Sequence, residues 1–521
     1  MGKAIGIDLG TTNIVVSYFD KKNKVKIFRE KGEIIIPSAL YLVSKTEYLI
    51  GENALSRGKV NPRSLITNFK YDMGENRKKV FIAENGDKVS LNSTQVARKV
   101  LEEVLNKVTK KIIKDFPGED IEQAVITVPA KFNPIQKDNT KKAAFEAGLQ
   151  DVKLALESTA AAIAYADEND IKSKILIYDF GGGTFDVSLI EKTSSGFREV
   201  VTPEGDRHLG GNLLTKRIAD YLFDEIENEL GLEMPKERDE FDPEDYDFEY
   251  PEDIYVKNYI AVYNLAEKIK KDFNETDNIN ETIQIQTPRK TGITLENIDI
   301  SLDYKTFCKI IESDINRTIT IVDRVLKESN VDKNDITVIL TGGSSLLKLV
   351  GVKLEEYFNK GIETFKTASL ISEGACILTQ KIDGLEIEGN LPNDIGVKVN
   401  KKLGRVEFEP LLEAGTPEKN AEGIKDFELM EDNQKTLKVQ LYERDKTNYP
   451  NAIKINDEGC TELDSLEINL PENLKKSDTL IRLKLNILKD GTLALNVSLH
   501  NSRGEKIYSE NLEIERAGIL E

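Results

Sequence analysis

One short pattern occurs twice in this 521-residue chain and constrains its fold more than any other feature. Each copy has an apolar run, a glycine turn and a second apolar run: IGIDLGTTNIVVSYF and ILIYDFGGGTFDVSLI. Such a sequence predicts a β-hairpin with glycine at its bend. The shared positions are Asp8, Gly10, Thr11 and Thr12 in the first copy, and Asp179, Gly181, Gly182, Gly183 and Thr184 in the second. The repeat predicts an internal duplication in which each half supplies one hairpin.

Residues 1–382 alternate strand-type and helix-type apolar runs, which is typical of an α/β fold. Predicted strands include QAVITVPA and TVILTGG, and predicted helices include STQVARKVLEEVLNKVTKKIIKDF and GNLLTKRIADYLFDEIENEL. Within this region the segment GLEMPKERDEFDPEDYDFEYPED is acidic, contains three prolines and lacks any sustained period. We expect an exposed insertion there rather than an acidic docking surface.

The composition changes at residues 383–392, where IDGLEIEGNLP predicts an interdomain linker. In residues 393–521 the runs KTLKVQLYE, TLIRLKLNIL and TLALNVSLH alternate apolar and polar side chains at period two. This alternation predicts an antiparallel β-sandwich. No helical pattern follows those runs, so we expect a sandwich without a covering helical lid.

Charge and composition exclude several classes of function. A net charge of −19 disfavours nucleic acid as a partner. The chain has no run of eighteen apolar residues and no secretion signal, so we expect a cytoplasmic protein that does not enter membranes. Its three cysteines, Cys308, Cys376 and Cys460, are too scattered for a disulfide framework, and two histidines exclude a histidine-rich metal site.

The repeated loops have the composition of a phosphate-binding site. Glycine leaves backbone N–H groups accessible, and threonine hydroxyls add hydrogen-bond donors. Phosphates of nucleotides arrive with Mg²⁺, which keeps its waters and takes one or two carboxylates, such as Asp8 and Asp179. Two further glycine turns precede helical patterns, Gly210-Gly211 and Gly342-Gly343-Ser344, as expected where a helix N-terminus meets a phosphate or nucleoside. The sequence therefore predicts a nucleotide clamp.

Six motifs in order resemble those of the heat-shock protein 70, or DnaK-type, chaperone family: IGIDLGTTN, AVITVPAKFN, ESTAAAIAYA, IYDFGGGTFDVSLI, HLGGN and ILTGGSS. EDNQKTLKVQLYE and LKLNILKDGTLALNVS resemble the family's peptide-binding sandwich. The resemblance implies an actin-like ATPase domain, with two lobes around a cleft, joined to that sandwich. It implies an ATP-dependent chaperone, a divergent and lidless monomer, that binds unfolded or extended apolar peptides. J-domain co-chaperones and nucleotide-exchange factors are the partners that it implies.

The resemblance also assigns the residues of hydrolysis. It implies that Asp8, Glu157 and Asp179 hold Mg²⁺ through water, and that Lys70 lies beside the γ-phosphate. Glu157 would also position the attacking water, and Asp186 would lie near that water or a monovalent cation such as K⁺. The predicted catalytic residues are Lys70, Glu157, Asp179 and Thr184. The predicted phosphate-binding residues are Gly10, Thr11, Thr12, Asn13, Gly181, Gly182, Gly183 and Thr184.

For the nucleoside, AEKIKKDFN matches the family's adenosine-contacting helix and implies contacts from Glu267, Lys270, Lys271 and Asn274. Leu346 stands where relatives often have an arginine stacked on adenine, so an apolar side chain would cover the base here. In the sandwich, the positions aligned with the family's peptide groove are Phe408, Phe427 and Leu437. Packing in the core explains these three equally well, because period two assigns only a face.

The linker departs from the family, since Leu385-Glu386-Ile387-Glu388 interrupts an otherwise apolar connector with two carboxylates. Its alternation still allows one face to dock as a β-strand. Two other functions stay open at this point. One is a nucleotide-sensing binding module that hydrolyses little ATP and recognises a dedicated partner. The other is an actin-like small-molecule kinase, which leaves the sandwich without a role.

Overall fold

The fold is described from a computed structural model. It describes residues 3–75, 77–132, 134–169, 174–194, 196–232, 234, 252–289, 292–362, 368–380, 386–400, 406–418, 421–445, 459–488 and 493–514. Most of the predicted acidic insertion, residues 235–251, lies outside these ranges, as does Leu385 of the predicted linker.

Helices and strands alternate through the first part of the chain, and in the described residues of the second part strands follow without an α-helix. The helices are α1 (Gly51–Gly58), α2 (Ser93–Asp115), α3 (Pro134–Glu146), α4 (Glu157–Glu168), α5 (Gly211–Leu230), α6 (Glu252–Asp272), α7 (Tyr304–Ser329), α8 (Lys348–Phe358) and α9 (Leu370–Leu378). The strands of the first part are β1 (Lys3–Leu9), β2 (Asn13–Phe19), β3 (Val25–Ile27), β4 (Ile36–Pro37), β5 (Ala39–Leu42), β6 (Tyr48–Ile50), β7 (Leu65–Thr67), β8 (Lys79–Ile82), β9 (Lys88–Leu91), β10 (Ile121–Val128), β11 (Asp151–Leu156), β12 (Lys174–Phe180), β13 (Phe185–Lys192), β14 (Gly196–Glu199), β15 (Glu204–Asp206), β16 (Asn278–Arg289), β17 (Gly292–Asp303) and β18 (Ile336–Thr341). Strand β19 (Glu386–Glu388) lies between the two parts. The strands of the second part are β20 (Asp394–Asn400), β21 (Val406–Leu412), β22 (Glu422–Glu428), β23 (Thr436–Arg444), β24 (Cys460–Asn469), β25 (Thr479–Ile487), β26 (Leu493–Asn501) and β27 (Lys506–Ile514).

Two mixed sheets share one core topology, in the orders β11-β10-β1-β2-β3 and β18-β12-β13-β14-β19. In each sheet a hairpin is antiparallel, β1 with β2 and β12 with β13, and its first strand runs parallel to a later strand. The registers correspond as well: Asp8 lies opposite Thr127, and Asp179 lies opposite Thr341. The structure therefore contains the two equivalent hairpins that the repeated pattern predicts.

Two helices fill the space between these sheets. Helix α4 begins with Glu157, directly after β11, and its alanines pack into a core with Ile175 and Ile177 of β12. Helix α9 packs against α4 and β1, and the Ser372 hydroxyl lies 2.8 Å from that of Ser17. The small side chains of α4 allow α9 to pack closely against it. The packing fixes Glu157 at the edge where both hairpin loops emerge.

The strands of the second part form two antiparallel sheets, β21-β20-β23-β24 and β22-β25-β26-β27. In β25 the residues alternate between buried and partly exposed positions, so one face enters the core. The buried face includes Leu483 and Leu485, which pack with Val497 and Leu499 of β26. These sheets supply the antiparallel strands that the period-two pattern predicts.

The chain between the two parts adds a strand to the first part. β19 pairs in parallel with β14, so that Glu386 lies opposite Gly196. The next residues lead directly into the sandwich, because Leu391 is fully buried in its core. The alternating pattern of the linker therefore forms a strand at the edge of the second sheet.

Among the residues with described coordinates, no helix has the length and apolar character that crossing a lipid bilayer requires. One local prediction was wrong in its detail. The glycines of TVILTGGSS do not lead straight into a helix, because a 3-10 turn over Gly343–Leu346 and an extended Leu347 come first. Helix α8 begins only at Lys348.

Candidate functional site

The two hairpin loops have the same hydrogen bond and lie against each other. The Gly10 N–H donates to the Asn13 carbonyl at 2.9 Å, and the Gly181 N–H donates to the Thr184 carbonyl at 3.1 Å. The loops approach so closely that a Cβ atom at Gly182 would lie 2.3 Å from Thr12 Oγ1. Only glycine fits this contact. Because the two loops lie against each other, both open on one cleft.

A buried ion pair lies at the bottom of this cleft. Lys70 Nζ donates to Glu157 Oε1 at 2.9 Å, and the two side chains are 4% and 10% exposed. Lys70 stands in a 3-10 turn over Phe69–Asp72, which follows Asn68 in the left-handed conformation at φ 56°. Sequence position alone favours a surface lysine here, whereas the resemblance places it at the γ-phosphate. The structure places it in the cleft.

Three buried carboxylates surround this pair. Burial, followed by the negative charge of Glu157, raises the pKa of Asp8 to about 7. Burial also raises the pKa of Asp179 well above its ordinary value, and the charges of Glu157, Asp186 and Asp8 add to this effect. The pKa of Asp186 is raised to about 7, again by burial first. Lys70 opposes all three shifts, and Lys131 also opposes that of Asp186, but burial and the negative charges outweigh these lysines.

A cluster of buried, like-charged carboxylates fits a divalent cation that is held through its waters. In the described part of the chain, no three His, Cys, Asp or Glu side chains are close enough to ligate one metal ion directly. Mg²⁺ in nucleotide sites keeps several waters and uses few protein ligands. The predicted magnesium residues Asp8, Glu157 and Asp179 therefore have the right chemistry for such an ion, and a cation would offset their mutual repulsion.

Most predicted phosphate residues line one cavity. This cavity, called here the cleft, includes the following predicted positions: Asp8, Gly10, Thr11, Thr12, Asn13, Lys70, Glu157, Asp179, Gly181, Gly182, Gly183, Thr184, Gly342, Gly343 and Leu346. Leu346 is 46% exposed at its wall, where a flat apolar group would cover it. Gly210 does not line the cleft, since its position packs against the backbone of Gly183.

A neighbouring cavity of about 550 Å³ continues from the cleft and contains the residues predicted for the nucleoside. Asn13, Gly182 and Gly343 line both spaces, so the two are contiguous. The predicted residues that line this second space are Gly211, Glu267, Lys270, Lys271, Asn274 and Ser344. Its size and polar wall match a nucleoside next to a phosphate site.

Several residues predicted to contact the nucleoside already form hydrogen bonds or ion pairs with other protein groups. Lys270 Nζ donates to the Gly211 carbonyl at 2.9 Å, to Thr215 Oγ1 at 2.8 Å and to Glu267 Oε2 at 2.6 Å. These bonds use all three donors of the ammonium. Burial lowers the pKa of Lys270, although Glu267 opposes this. Lys271 is mostly exposed and reaches Glu267 at 3.1 Å. Lys270 therefore holds the wall of the second space in place through its three hydrogen bonds. Lys271, being mostly exposed, is the lysine that remains accessible.

The three residues predicted for peptide binding lie in the sandwich in different settings. Phe408 is 5% exposed and packs against Tyr442, with the Arg444 guanidinium 4.5 Å from its ring centre. Phe427 and Leu437 are partly buried and pack against the sandwich core. The two side chains at the core are only partly covered, whereas Phe408 is enclosed by its own sheet.

Sequence reasoning missed several residues around the cleft. The Tyr71 hydroxyl donates to the Gly183 carbonyl at 2.9 Å and so ties the second loop to the lysine turn. Thr127, fully buried, donates to Asp8 Oδ1 at 3.4 Å. Lys131 and Arg207 line a third cavity beyond Lys70. The position of Thr127 opposite Asp8 follows from the parallel pairing of β1 and β10, so a register prediction would have found it.

Two equivalent α/β halves whose hairpin loops face each other across one cleft, followed by an antiparallel sandwich, define a two-part protein: a duplicated mixed α/β part with a cleft, and a β-sandwich attached to it. A family model described as Hsp70 protein matches residues 4–501. The chain therefore belongs to the Hsp70 family. Members of this family are chaperones that bind ATP with Mg²⁺ and hydrolyse it, and they bind unfolded peptides together with J-domain and exchange-factor co-chaperones.

Proposed function

We propose that this chain is an ATP-dependent chaperone in which ATP binding and hydrolysis in the cleft regulate binding of extended peptide segments by the sandwich. The observation that carries the proposal is the contact between the two loops around the Lys70–Glu157 pair. Glycine N–H groups, threonine hydroxyls and one lysine there surround a space shared with three buried carboxylates. A triphosphate supplies the anion for the donors, and its bound cation meets the carboxylates.

The residues of the cleft divide the work of hydrolysis. Donors from Thr11, Thr12 and Thr184 would fix the phosphate oxygens. Glu157 would accept a hydrogen bond from a water and hold it in line with the γ-phosphorus. The water oxygen then bonds to phosphorus and the bond to the β-γ bridging oxygen breaks. The products are ADP and hydrogen phosphate, which keeps one proton of the water, and the other proton is released to solvent. The positive charge of Lys70 would stabilise the charge on the transferring group.

The carboxylates prepare the site for the metal. Asp8 and Asp179 would hold Mg²⁺ through its waters, with Glu157 contributing from the other side. When bound, that ion neutralises part of the charge that develops on the phosphates. Without such a cation the carboxylates would favour the protonated form, because their pKa values are raised by burial and by each other. Asp186, further along the same edge, would orient the attacking water.

The second space fits the nucleoside. Glu267 and Lys271 would contact the ribose, and Asn274 would lie behind it, because its Oδ1 accepts from the Lys348 N–H. Leu346 lines the adjoining cleft, close to Gly343, which lines both spaces, and would cover the base from there. An apolar cover gives less specific stacking than a guanidinium, so the base would contribute less to affinity here than it would beneath an arginine.

We propose that the functional units are an ATPase domain over residues 1–382, a linker at 383–392 and a peptide-binding sandwich over 393–521. The pairing of β19 with β14 supports a linker that docks on the ATPase domain. In the sandwich, Phe427 and Leu437 are the better candidates for peptide contacts than Phe408, because their side chains are only partly covered.

Single-turnover hydrolysis of radiolabelled ATP tests the proposal. We expect Lys70→Met to lower the hydrolysis rate by at least ~100-fold, because it removes a preorganised donor at the transferring phosphate. Methionine keeps the unbranched stem in its buried position. ATP affinity should be measured in the same samples, since the change also leaves Glu157 without its partner.

A matched control is Lys107→Met. Lys107 also pairs with a glutamate, Glu30, at 2.8 Å, but it lies on α2 and lines none of the three cavities. Its rate should equal that of the wild type. A wild type that binds ATP without hydrolysing it would favour the nucleotide-sensing module, and a normal rate in Lys70→Met would contradict the assigned site.

A further inference from the structure

A cavity of about 360 Å³ lies beyond the phosphate end of the cleft. Thr11, Lys70 and Thr184 line both spaces, so the cavity begins where the γ-phosphate would lie. A water molecule takes roughly 30 Å³ of liquid volume, so the space is large enough for a polyatomic ion. We call it the side chamber.

Lys131 lies in the wall of the side chamber and is 2% exposed. Its Nζ has no hydrogen-bond acceptor among the residues that the structure describes. Burying an ammonium without a hydrogen-bond partner costs on the order of several kcal/mol. A buried group of this kind therefore calls for an explanation. The sequence reasoning assigned no role to this residue.

Three carboxylates interact electrostatically with Lys131, but each one accepts from another donor. Asp186 accepts from the Thr184 side chain, and Glu204 accepts from Arg324 at 3.3 Å. Glu199 accepts from the Asn390 N–H at 3.0 Å through Oε2, and its Oε1 has no donor among the described residues, so it does not accept from Lys131 either. The Lys131 ammonium is therefore left to bind a group that enters the chamber.

Arg207 adds a second cationic side chain to the same wall. Its Nη2 donates to the Lys131 carbonyl at 2.8 Å, which fixes the guanidinium next to the lysine. Its Nε has no acceptor among the described residues. The Arg207 Nη2 also lies 3.9 Å from Asp445 Oδ2, so the donors without a described acceptor are Arg207 Nε and Lys131 Nζ. Lysine and arginine donors together are a common arrangement for binding an oxyanion.

The chamber also has carboxylates, and these specify the kind of anion. Asp72 accepts from Lys79 and Asp206 accepts from Arg317, so their charges are matched outside the chamber. An ionised carboxylate only accepts hydrogen bonds. An oxyanion that lies beside the ion-paired Asp72 or Asp206 must therefore supply O–H donors as well as acceptor oxygens. Hydrogen phosphate has both, whereas sulfate has acceptors alone.

We propose that the side chamber binds inorganic phosphate, with Lys131 and Arg207 as its principal ligands. The proposal rests on the proposed function, because ATP hydrolysis in the adjoining cleft would supply that phosphate. The ion would move past Lys70 into the chamber after the β-γ bond has broken, with no further covalent change. The chamber would thus retain one product of the reaction while ADP still occupies the cleft.

Isothermal titration of inorganic phosphate into the full-length protein, saturated with ADP and Mg²⁺, tests this site. We expect saturable binding that Lys131→Met weakens at least ~10-fold, the effect of losing one charge-assisted hydrogen bond. Arg207→Gln, at a side chain that is 32% exposed, should weaken it as well and is the less disruptive change for the fold. Sulfate should bind at least ~10-fold more weakly than phosphate to the wild type.

The control is Lys137→Met, which removes another buried lysine, 3% exposed, that does not line the chamber. Its phosphate affinity should match that of the wild type. Absence of phosphate binding, equal binding by Lys131→Met, or equal binding of sulfate would each overturn the proposal. ADP binding is measured first in every protein: its loss would count against the proposed function, and phosphate titrated into the nucleotide-free protein would still test the chamber.

Discussion

Glu199 is a buried carboxylate at the end of β14, next to the linker strand β19. It is 5% exposed, and its Oε2 accepts from the N–H of Asn390, just after β19. Burial raises the pKa of Glu199 from its ordinary 4.5 to about 8, and the nearby charge of Glu418 adds to the rise, while Lys137 and Lys131 oppose it. When the linker is docked, this side chain therefore holds a proton at neutral pH.

We predict that linker docking depends on pH through Glu199. The docked state binds a proton that the undocked, hydrated carboxylate has released, so docking takes up one proton between pH 4.5 and about 8. Docking is therefore strongest below pH 4.5, weakens as the pH rises toward 8, and is constant above that. Energy transfer between dyes on the two domains, at pH 6, 7 and 8, measures this directly.

Glu199→Gln is the matching variant, because glutamine keeps the acceptor for the Asn390 N–H but cannot titrate. Its docking should be nearly independent of pH over this range and tighter than that of the wild type at pH 8. A wild type and a variant with the same pH profile would show that Glu199 is not the titrating group.

At this scale the sequence predicts residue types better than environments. The loop residues follow from their own pattern, because glycine and threonine act through local backbone geometry. Lys70 does not, since its partner Glu157 lies 87 positions away and only the folded chain joins them. The same holds for Lys131, which is 2% exposed and lies beside residues as distant in sequence as Thr11 and Arg207. Burial of a charged side chain is a property of tertiary packing, which no local pattern encodes.

At the scale of elements, the contact between α4 and α9 positions the site. A Cβ atom at Gly374 of α9 would lie 1.8 Å from the Ala160 carbonyl oxygen of α4. This distance is far below any tolerated contact, and backbone cannot move aside as a flexible side chain can. Because α4 begins with Glu157, any displacement of α4 also displaces that carboxylate.

We predict that Gly374→Ala lowers the free energy of unfolding by about 1–3 kcal/mol, the usual cost of overpacking. Gly351→Ala is the control: it lies within α8, where an added Cβ meets nothing within 4 Å. That change should raise stability by about 0.5–1 kcal/mol, since alanine favours a helix more than glycine does. Urea unfolding followed by circular dichroism measures both, and equal effects would contradict the close packing described.

The predicted elements with strong periodicity occur in the structure. Helices α2 and α5 follow their apolar period, and the two hairpins follow from the repeated loop. The short elements were less predictable: the 3-10 turn after Gly342 depends on an extended Leu347, and β19 exists only because β14 offers it an edge. Elements that need a partner elsewhere in the chain leave a weak signal in their own sequence.

At the scale of the whole molecule, three contacts connect the cleft to the sandwich. β19 continues the second sheet, Asn390 meets Glu199, and Arg207 lies 3.9 Å from Asp445 of the sandwich. Arg207 also lines the side chamber next to the cleft. Because β19 pairs with β14, the linker docks as a strand although it contains two acidic residues. Under the proposed function, these contacts are where a change at the phosphates would reach the sandwich, by biasing the docked state.

The central claim is that the nucleotide in the cleft sets how tightly the sandwich holds peptide. The most direct measurement is the dissociation rate of a fluorescent, extended apolar peptide from the full chain, with ATP and with ADP. We predict at least ~10-fold faster dissociation with ATP, which corresponds to a coupling free energy of about 1.4 kcal/mol. Peptide that binds but dissociates at the same rate with either nucleotide would contradict the claim, even if the cleft hydrolyses ATP.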